Sequence, residues 1–220
     1  RYGMVVLTKD CKAETSKQAL IKMRQELVTA GQDSDKDLYA VHHDDDTSFK
    51  GEFKQYVEHE KLKQTDTGGY DPQNNSVTER RHRSVKEVFK AMLLEATGGI
   101  GYYNALWGPG IVHAFDCVNN VDWADGHNPS VALTGTARSY DDNSFRFGQS
   151  VYYHVAKEVR DDAWMTPGQL GIWVGYSNRI KGGNKVVPVE WDGKSQLYKL
   201  SGTIHVHHCI NTCDDDNDFP

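Results

Sequence analysis

The sequence has no long apolar run and no internal repeats. None of its stretches approaches the roughly 18 apolar residues that a membrane-spanning helix requires, and we expect no membrane partner. The chain opens on Arg1 and runs at once into an apolar segment, without an initiator Met and without the pattern of a signal peptide. We therefore expect a globular fragment of a longer protein.

Cysteine is also scarce. The four cysteines are Cys11, Cys117, Cys209 and Cys213, and apart from the last two they lie far apart in the sequence. Wide spacing of this kind argues against a disulfide-stapled scaffold and is typical of proteins from a reducing compartment. We accordingly expect an intracellular protein.

The excess of charge of one sign is small. The chain carries 25 Lys and Arg residues against 31 Asp and Glu residues, which gives a formal net charge of −6. Four aspartates of the segment 214–218 supply much of that excess, whereas residues 79–90 contain five Lys or Arg and two Glu. Basic character is therefore local, and the net charge neither excludes nor establishes a nucleic-acid partner.

The first part of the chain alternates between strand and helix patterns. Short β-branched apolar runs predict strands, and helix formers with apolar residues at helical spacing predict helices. The predicted elements are strands at residues 2–7, 37–42 and 61–65 and helices at residues 12–30, 49–60, 75–97 and 102–118. The first strand is expected to be buried. Such alternation is typical of an α/β layer with parallel strand pairing.

From residue 144 onward the pattern changes to short β-rich runs. They occupy residues 150–155, 170–177, 184–191 and 197–206, and turns rich in Gly, Pro, Asn and Asp separate them. This pattern predicts a small antiparallel barrel or sheet. We therefore predict an N-terminal domain over residues 1–137, a β-rich domain over 144–210 and an acidic tail over 211–220.

Two acidic residues stand where metal chemistry is expected. Asp44 follows the predicted strand at residues 37–42, and Glu79 lies in the first turn of the long predicted helix. Catalytic groups of α/β proteins lie beyond the carboxyl ends of strands, and carboxylate oxygens are ligands that Mg²⁺ prefers. If the two acids converge, they could share divalent cations that promote an in-line phosphoryl displacement.

The basic residues after Glu79 fit the same interpretation. Glu79, Arg83 and Lys86 are spaced i, i+4 and i+7 and so share one helix face. A carboxylate that binds metal would then stand beside cations that bind phosphate. The spacing leaves a simpler alternative open, because an acid in a first turn complements the helix dipole and can pair with an Arg at i+4.

Three stretches together resemble the integrase of copia-type retrotransposons. They are VHHDDDTSFKGEF at residues 41–53, TDTGGYDPQNNSVTERRHRS at 65–84 and VKEVFKAMLLE at 85–95. The middle stretch contains the ordered pattern Tyr-x-Pro-Gln-x-Asn-x-Val-x-Glu-Arg of that family. Downstream, FRFGQSVYYHV at 145–155 and LGIWVGYS at 170–177 resemble the family's β-rich module, a small barrel of the Src-homology-3 kind.

The resemblance implies an RNase H-like core that uses an Asp, Asp, Glu triad and a two-metal site, with Mg²⁺ or Mn²⁺, to transfer a DNA 3′-hydroxyl onto target DNA. Asp44 would be the second acid of the triad and Glu79 the third. The DNA contacts would come from Tyr70, Gln73 and Asn75 in the active-site loop and from Arg80, Arg83 and Lys86 on the helix. The resemblance also implies a homo-oligomer that acts in the nucleus or in a cytoplasmic particle.

Some positions depart from the family pattern. The first acid of the triad belongs on a strand before Arg1, so we expect the core to lack its first strands and the chain to be inactive by itself. Residues 45–48 (DDTS) replace an amide residue, Gly, Gly or Thr, and Glu, while Ser76 replaces Gly. The added negative charge next to Asp44 could raise carboxylate pKa values or misplace a metal ion.

Two other functions stay open on the sequence. A decayed or co-opted nucleic-acid-binding protein would keep the basic helix and lose the catalytic site. An RNase H-type nuclease would use the same metals without joining strands, although the β-rich runs after residue 144 argue against it. Trp164, Trp173 and Trp191 could stack on bases, but such residues more often form the core of a barrel.

A histidine and cysteine cluster near the end has a composition that suggests zinc. Its members are His205, His207, His208, Cys209 and Cys213. Their spacing fits no standard zinc finger, and a strand end followed by a polar tail is the more ordinary interpretation.

Overall fold

The structure, a computed structural model, describes residues 2–30, 38–43, 46–66, 76–98, 104–123, 126–136, 145–160, 166–191, 198–200 and 202–212. The chain forms two compact units. One consists of Arg1–Lys86 with Phe115–Ser139, and the other consists of Glu87–Ala114 with Tyr140–Pro220. Each unit thus draws on two separate stretches of the sequence. The predicted domain limits at 137 and 144 assume continuous segments, and they stay a prediction.

The first unit contains helices and strands in the predicted alternation. Its elements are α1 (Ala13–Ala30), β1 (Ala40–His43), a 3₁₀ turn (Thr47–Phe49), α2 (Glu52–His59), β2 (Lys63–Asp66), the first part of α3 (Ser76–Ala96), the end of α4 (Asn104–Asn119) and α5 (Pro129–Thr134). β1 and β2 pair in parallel. The mixed α/β character and the parallel pairing that the sequence predicts are therefore confirmed.

A small apolar core holds α1, α2 and β1 together. Leu20 on α1 is buried with Phe53 and Val57, which are spaced i, i+4 on α2 and so point to one side of that helix. Val41 on β1 and Leu62 pack against this cluster. The position of β1 depends on this packing.

The buried strand predicted for residues 2–7 is wrong. This segment lies outside every helix and strand of the described part, and its ends are exposed at Tyr2 and Leu7. The backbone of Gly3 forms hydrogen bonds with the side chain of Asn119 instead of with a neighbouring strand. The Gly3 N–H donates to Asn119 Oδ1 at 2.9 Å, and Asn119 Nδ2 donates to the Gly3 carbonyl at 2.7 Å. Apolar β-branched composition predicts extended backbone, but a strand also requires a partner.

The long helix α3 follows from its sequence pattern. Val85, Phe89 and Leu93 recur at i, i+4 and i+8, and all three are buried. The helix ends just before Gly98, whose φ of 60° lies in the left-handed region that favours glycine. None of the described helices combines the length and the apolar character that a bilayer crossing requires.

The second unit contains an antiparallel sheet, as the β-rich runs predict. Its strands are β3 (Ser150–His154), β4 (Gly168–Tyr176), β5 (Asn184–Trp191), β6 (Tyr198–Leu200), β7 (Ile204–Val206) and β8 (Cys209–Asn211). They follow the order β6-β5-β4-β3-β8, and β7 also pairs with β5. The run at 197–206 therefore forms two strands, and β8 was not predicted.

Trp173 occupies the centre of this sheet's core. Its side chain is fully buried against Val151, Tyr153 and Val186. Its one polar atom is satisfied, because Nε1 donates to the buried Asn184 Oδ1 at 2.9 Å. Trp173 is thus a core residue and not a base-stacking surface. Trp164 and the side chain of Trp191 lie outside the described residues.

A close contact in the second unit requires glycine at position 148. Gly148 has a φ of 84°, and its N–H donates to the Trp173 carbonyl at 2.9 Å. A Cβ at this position would lie 2.2 Å from the Cβ of Ala96 at the end of α3. Both the backbone conformation and the space therefore exclude a side chain.

Replacing Gly148 by Ala should lower the free energy of unfolding by about 2–4 kcal/mol, because the strain of a positive φ adds to the clash with Ala96. Gly182→Ala is the matched control. Gly182 has a φ of 69°, and no described atom lies within 4 Å of the place that a Cβ would take there. This control should cost only about 1 kcal/mol. Urea unfolding measures both, and equal losses would show that Ala96 imposes no constraint.

Candidate functional site

The parallel strands β1 and β2 end at the same level, and in the sequence the predicted catalytic acid Asp44 follows β1 directly. His43, the last residue of β1, lies in register with Asp66, the last residue of β2. Asp44 follows His43 directly in the sequence, at the carboxyl end where α/β proteins place ligands. Asp44 lies outside the described residues, as do Tyr70, Gln73 and Asn75. Their predicted roles therefore stay predictions.

Two histidines before Asp44 are held in place by β2 and by the 3₁₀ turn. The His42 ring Nδ1 lies 2.9 Å from Thr65 Oγ1 on the neighbouring strand. The Gln64 side-chain amide lies 2.7 Å from His43 Nε2, and the His43 ring stacks on Phe49 with a centroid distance of 4.8 Å. The backbone that leads into Asp44 is thus anchored on both sides of the strand.

Asp46 is used for structure. Its carboxylate accepts a hydrogen bond from the Ser48 N–H at 2.7 Å and caps the 3₁₀ turn. This backbone hydrogen bond, made to the charged form, lowers the pKa of Asp46. The expectation that the crowded acids have raised pKa values is therefore wrong for Asp46.

The predicted site residues on α3 are all accessible. Glu79, Arg80, Arg83 and Lys86 are exposed. Glu79, Arg83 and Lys86 lie on one face of the helix, because residues three and four apart are neighbours on a helix surface. The Glu79 carboxylate makes no hydrogen bond or ion pair with the other residues that the structure describes. The simpler alternative of a Glu79–Arg83 surface pair is therefore not realised.

Arg81, in the middle of the same basic run, points into the protein. Its Nη2 donates to Oδ1 of Asn119, and its guanidinium carbon lies 5.4 Å from the ring centroid of Trp123. Burial lowers the pKa of Arg81. Arg81 and Trp123 were not among the predicted site residues. The sequence signal that could have found Arg81 is its spacing of four from the buried Val85.

The donor chemistry at Glu79 fits a hard divalent cation, because carboxylate oxygens are the ligands such ions prefer. Its exposed carboxylate is accessible to an ion. Over the described ranges, no group of three or more His, Cys, Asp or Glu side chains is placed to hold a metal. The predicted partner Asp44 lies outside those ranges, so a site shared by Asp44 and Glu79 stays a proposal.

The described members of the histidine and cysteine cluster lie on β7, on β8 and, for His207 and His208, between the two strands. His205 lies on β7, and its Nδ1 is 2.8 Å from Ser177 Oγ. Cys209 lies on β8, opposite Tyr153 of β3. Burial raises the pKa of Cys209 to about 11. Cys213 lies outside the described residues. This arrangement favours a structural role over a zinc site.

The alkylation of Cys209 by iodoacetamide should rise about tenfold for each pH unit up to a midpoint near 11, because only the thiolate reacts. Mass spectrometry of the labelled peptides measures this profile, and the exposed Cys11 serves as the reference within the same chain. In urea the two thiols should react alike. A midpoint for folded Cys209 near the ordinary value of about 8.5 would contradict the prediction.

No family model and no curated protein matches this sequence. Among solved structures, a chain of the cryo-EM structure of the simian T-cell lymphotropic virus intasome in complex with PP2A regulatory subunit B56 gamma aligns with a TM-score of 0.45 and 11% identity. The alignment covers 86% of this chain and 64% of that chain. Likeness of this degree carries no functional argument.

Proposed function

We propose that this chain is part of an integrase of the copia type, whose RNase H-like core transfers a DNA 3′-hydroxyl onto target DNA. The observation that carries the proposal is the exposed face of α3, where Glu79 lies in the first turn beside Arg83 and Lys86. The parallel pair β1 and β2, which leads directly into Asp44, supports it. The sequence stretches that resemble the family coincide with these elements.

Asp44 and Glu79 are the proposed ligands of Mg²⁺ or Mn²⁺. When bound, such ions activate the attacking oxygen and stabilise the leaving oxygen of an in-line displacement. The chain itself contributes the two carboxylates and the fixed backbone before Asp44, where β2 holds His42 and His43. Asp44 and Glu79 are proposed as the second and third acids of the triad that the resemblance implies.

The exposed cations of α3 are the proposed contacts to DNA phosphates. Arg80, Arg83 and Lys86 are exposed within two helical turns, and each phosphate that they neutralise releases counterions. The loop residues Tyr70, Gln73 and Asn75 are proposed to contact the same DNA near Glu79. Further copies of the chain are the second proposed partner, and the nucleus or a cytoplasmic particle is the proposed location.

Glu79→Gln and Asp44→Asn should each weaken Mn²⁺ binding by about tenfold or more. Loss of a residue that only orients a metal ligand already costs about tenfold in affinity, and loss of the ligand itself should cost at least as much. Electron paramagnetic resonance of free Mn²⁺, titrated with the chain, measures the affinity. Neither substitution should weaken DNA binding, since the proposed phosphate contacts are separate residues.

Glu87→Gln is the matched control for the metal measurement. Glu87 is an exposed carboxylate on the same helix, and its loss should leave Mn²⁺ affinity unchanged. An equal effect of Glu87→Gln would show nonspecific attraction to acidic residues. If Glu79→Gln leaves Mn²⁺ binding intact while the chain binds DNA, the chain is a non-catalytic DNA-binding protein and the metal assignment fails.

Arg83→Ala and Lys86→Ala should each weaken duplex DNA binding by a similar factor for all sequences. Each should also reduce the slope of the logarithm of the binding constant against the logarithm of salt concentration by about 1, because one phosphate contact is lost. Fluorescence anisotropy with a labelled duplex, repeated over a series of KCl concentrations, measures both quantities.

Lys54→Ala is the control for charge alone. Lys54 is exposed on α2, where its Nζ lies 3.9 Å from Glu58 Oε1, and it is not a proposed DNA contact. Its loss changes the net charge by the same amount and should leave the salt slope unchanged. If Arg83→Ala, Lys86→Ala and Lys54→Ala all show the same dependence of DNA binding on salt concentration, α3 does not contact the phosphates.

A further inference from the structure

An exposed tryptophan stands in front of the one arginine of α3 that points into the protein. Trp123 lies shortly after the end of α4, and 44% of its surface is exposed. The guanidinium of Arg81 lies over the ring, 5.4 Å from its centroid. With a cation over the ring and close to half of its surface in solvent, the indole is expected to accept a second planar group on its solvent-exposed side.

The cation behind the ring is held firmly. Arg81 donates to the side-chain oxygen of Asn119. Asn119 is only 2% exposed, and its side-chain amide also pairs with the N–H and the carbonyl of Gly3. Arg81 is half-buried, and burial lowers its pKa. Cation–π attraction is stronger when the cation has lost part of its water. Arg81 therefore fixes the orientation of Trp123.

The backbone that carries Trp123 is also held. The Trp123 N–H donates to the His127 carbonyl at 3.1 Å, and the Gly126 N–H donates to the Trp123 carbonyl at 2.8 Å. The buried Asn128 donates to Asp122 Oδ1 at 2.9 Å, and its own oxygen caps α5. The backbone of Trp123 is therefore held at both its N–H and its carbonyl, and ordering the ring on binding costs little entropy.

We propose that the open face of Trp123 stacks on an unpaired nucleobase of the DNA that the basic face of α3 holds. This inference rests on the proposed function, and it adds a contact to a base where that function has contacts to phosphates. Aromatic side chains stack on any base, because every base has a π-face. The bound order would be guanidinium, indole and base, a continuous stack.

Charge favours a nucleic acid over an apolar protein surface as the occupant. Arg80, Arg81 and Arg83 lie within one turn of α3, and Arg81 is the residue behind the ring. The neighbouring Asp122 carboxylate accepts a hydrogen bond from Asn128. An apolar partner would have to desolvate this positive region without compensation, whereas a DNA strand brings its phosphates with its bases.

Trp107 provides the matched comparison. It is 55% exposed on α4, and among the described residues no cation lies over its ring. It belongs to the other compact unit. An exposed indole that has no fixed cation over its ring is not expected to take part in the stack.

The test uses the full chain and two labelled single-stranded oligonucleotides of equal length, one with natural bases and one with abasic sites. Trp123→Ala should weaken binding of the natural strand by about tenfold to a hundredfold, the range measured for loss of one stacked base. Trp123→Phe should retain most of the affinity, and Trp107→Ala should retain all of it. On the abasic strand, Trp123→Ala should have no effect.

The proposal would be overturned if Trp123→Ala lost the same affinity for the natural strand as for the abasic strand. It would also be overturned if Trp123→Ala bound both strands as well as the unchanged protein does, and the ring would then be assigned to a protein-binding surface. Thermal unfolding of Trp123→Ala and Trp123→Phe separates loss of stacking from loss of fold. If duplex binding depends on Arg83 and Lys86 but Trp123→Ala shows no dependence on the bases, the stacking proposal fails and the proposed phosphate contacts remain. Absence of any DNA binding would remove the proposed function as well.

Discussion

The buried side-chain amide of Asn119 is the contact on which the first unit's candidate surface depends. Its oxygen accepts from the Gly3 N–H and from Arg81, and its nitrogen donates to the Gly3 carbonyl. Because the amide is almost fully buried, a lost partner would leave a polar atom without a hydrogen bond, at a cost of about 1–3 kcal/mol. One side chain thus positions the opening segment, α3 and, through Arg81, Trp123.

Helix geometry divides the basic run of α3 into two roles. Successive residues on a helix are turned by about 100°, so Arg81 points inward while Arg80 and Arg83 remain in solvent. The inward arginine joins α3 to Asn119 and Trp123, and the outward residues form the surface that a polyanion can reach. Glu79 lies on the outward side, where its carboxylate has no competing partner among the described residues.

Local periodicity explains which elements could be predicted. α1, α3 and α4 were predicted close to their observed limits, since amphipathic spacing over many residues is a strong signal. Residues 2–7 have the composition of a strand, yet the Asn119 amide satisfies the backbone of Gly3 where a strand partner was expected. β8 spans only Cys209–Asn211, and a three-residue strand forms because β3 lies beside it. Pairing of that kind leaves no local pattern.

By itself, the sequence determined the mixed α/β character of the first unit, the antiparallel strands of the second and the exposure of Glu79, Arg83 and Lys86. These features follow from periodicity within single elements. The tertiary structure decided the partners of Asn119, the inward direction of Arg81 and its stacking on Trp123. Such contacts join residues far apart in the chain, and only the packing of separate helices brings their atoms within hydrogen-bonding and stacking distance.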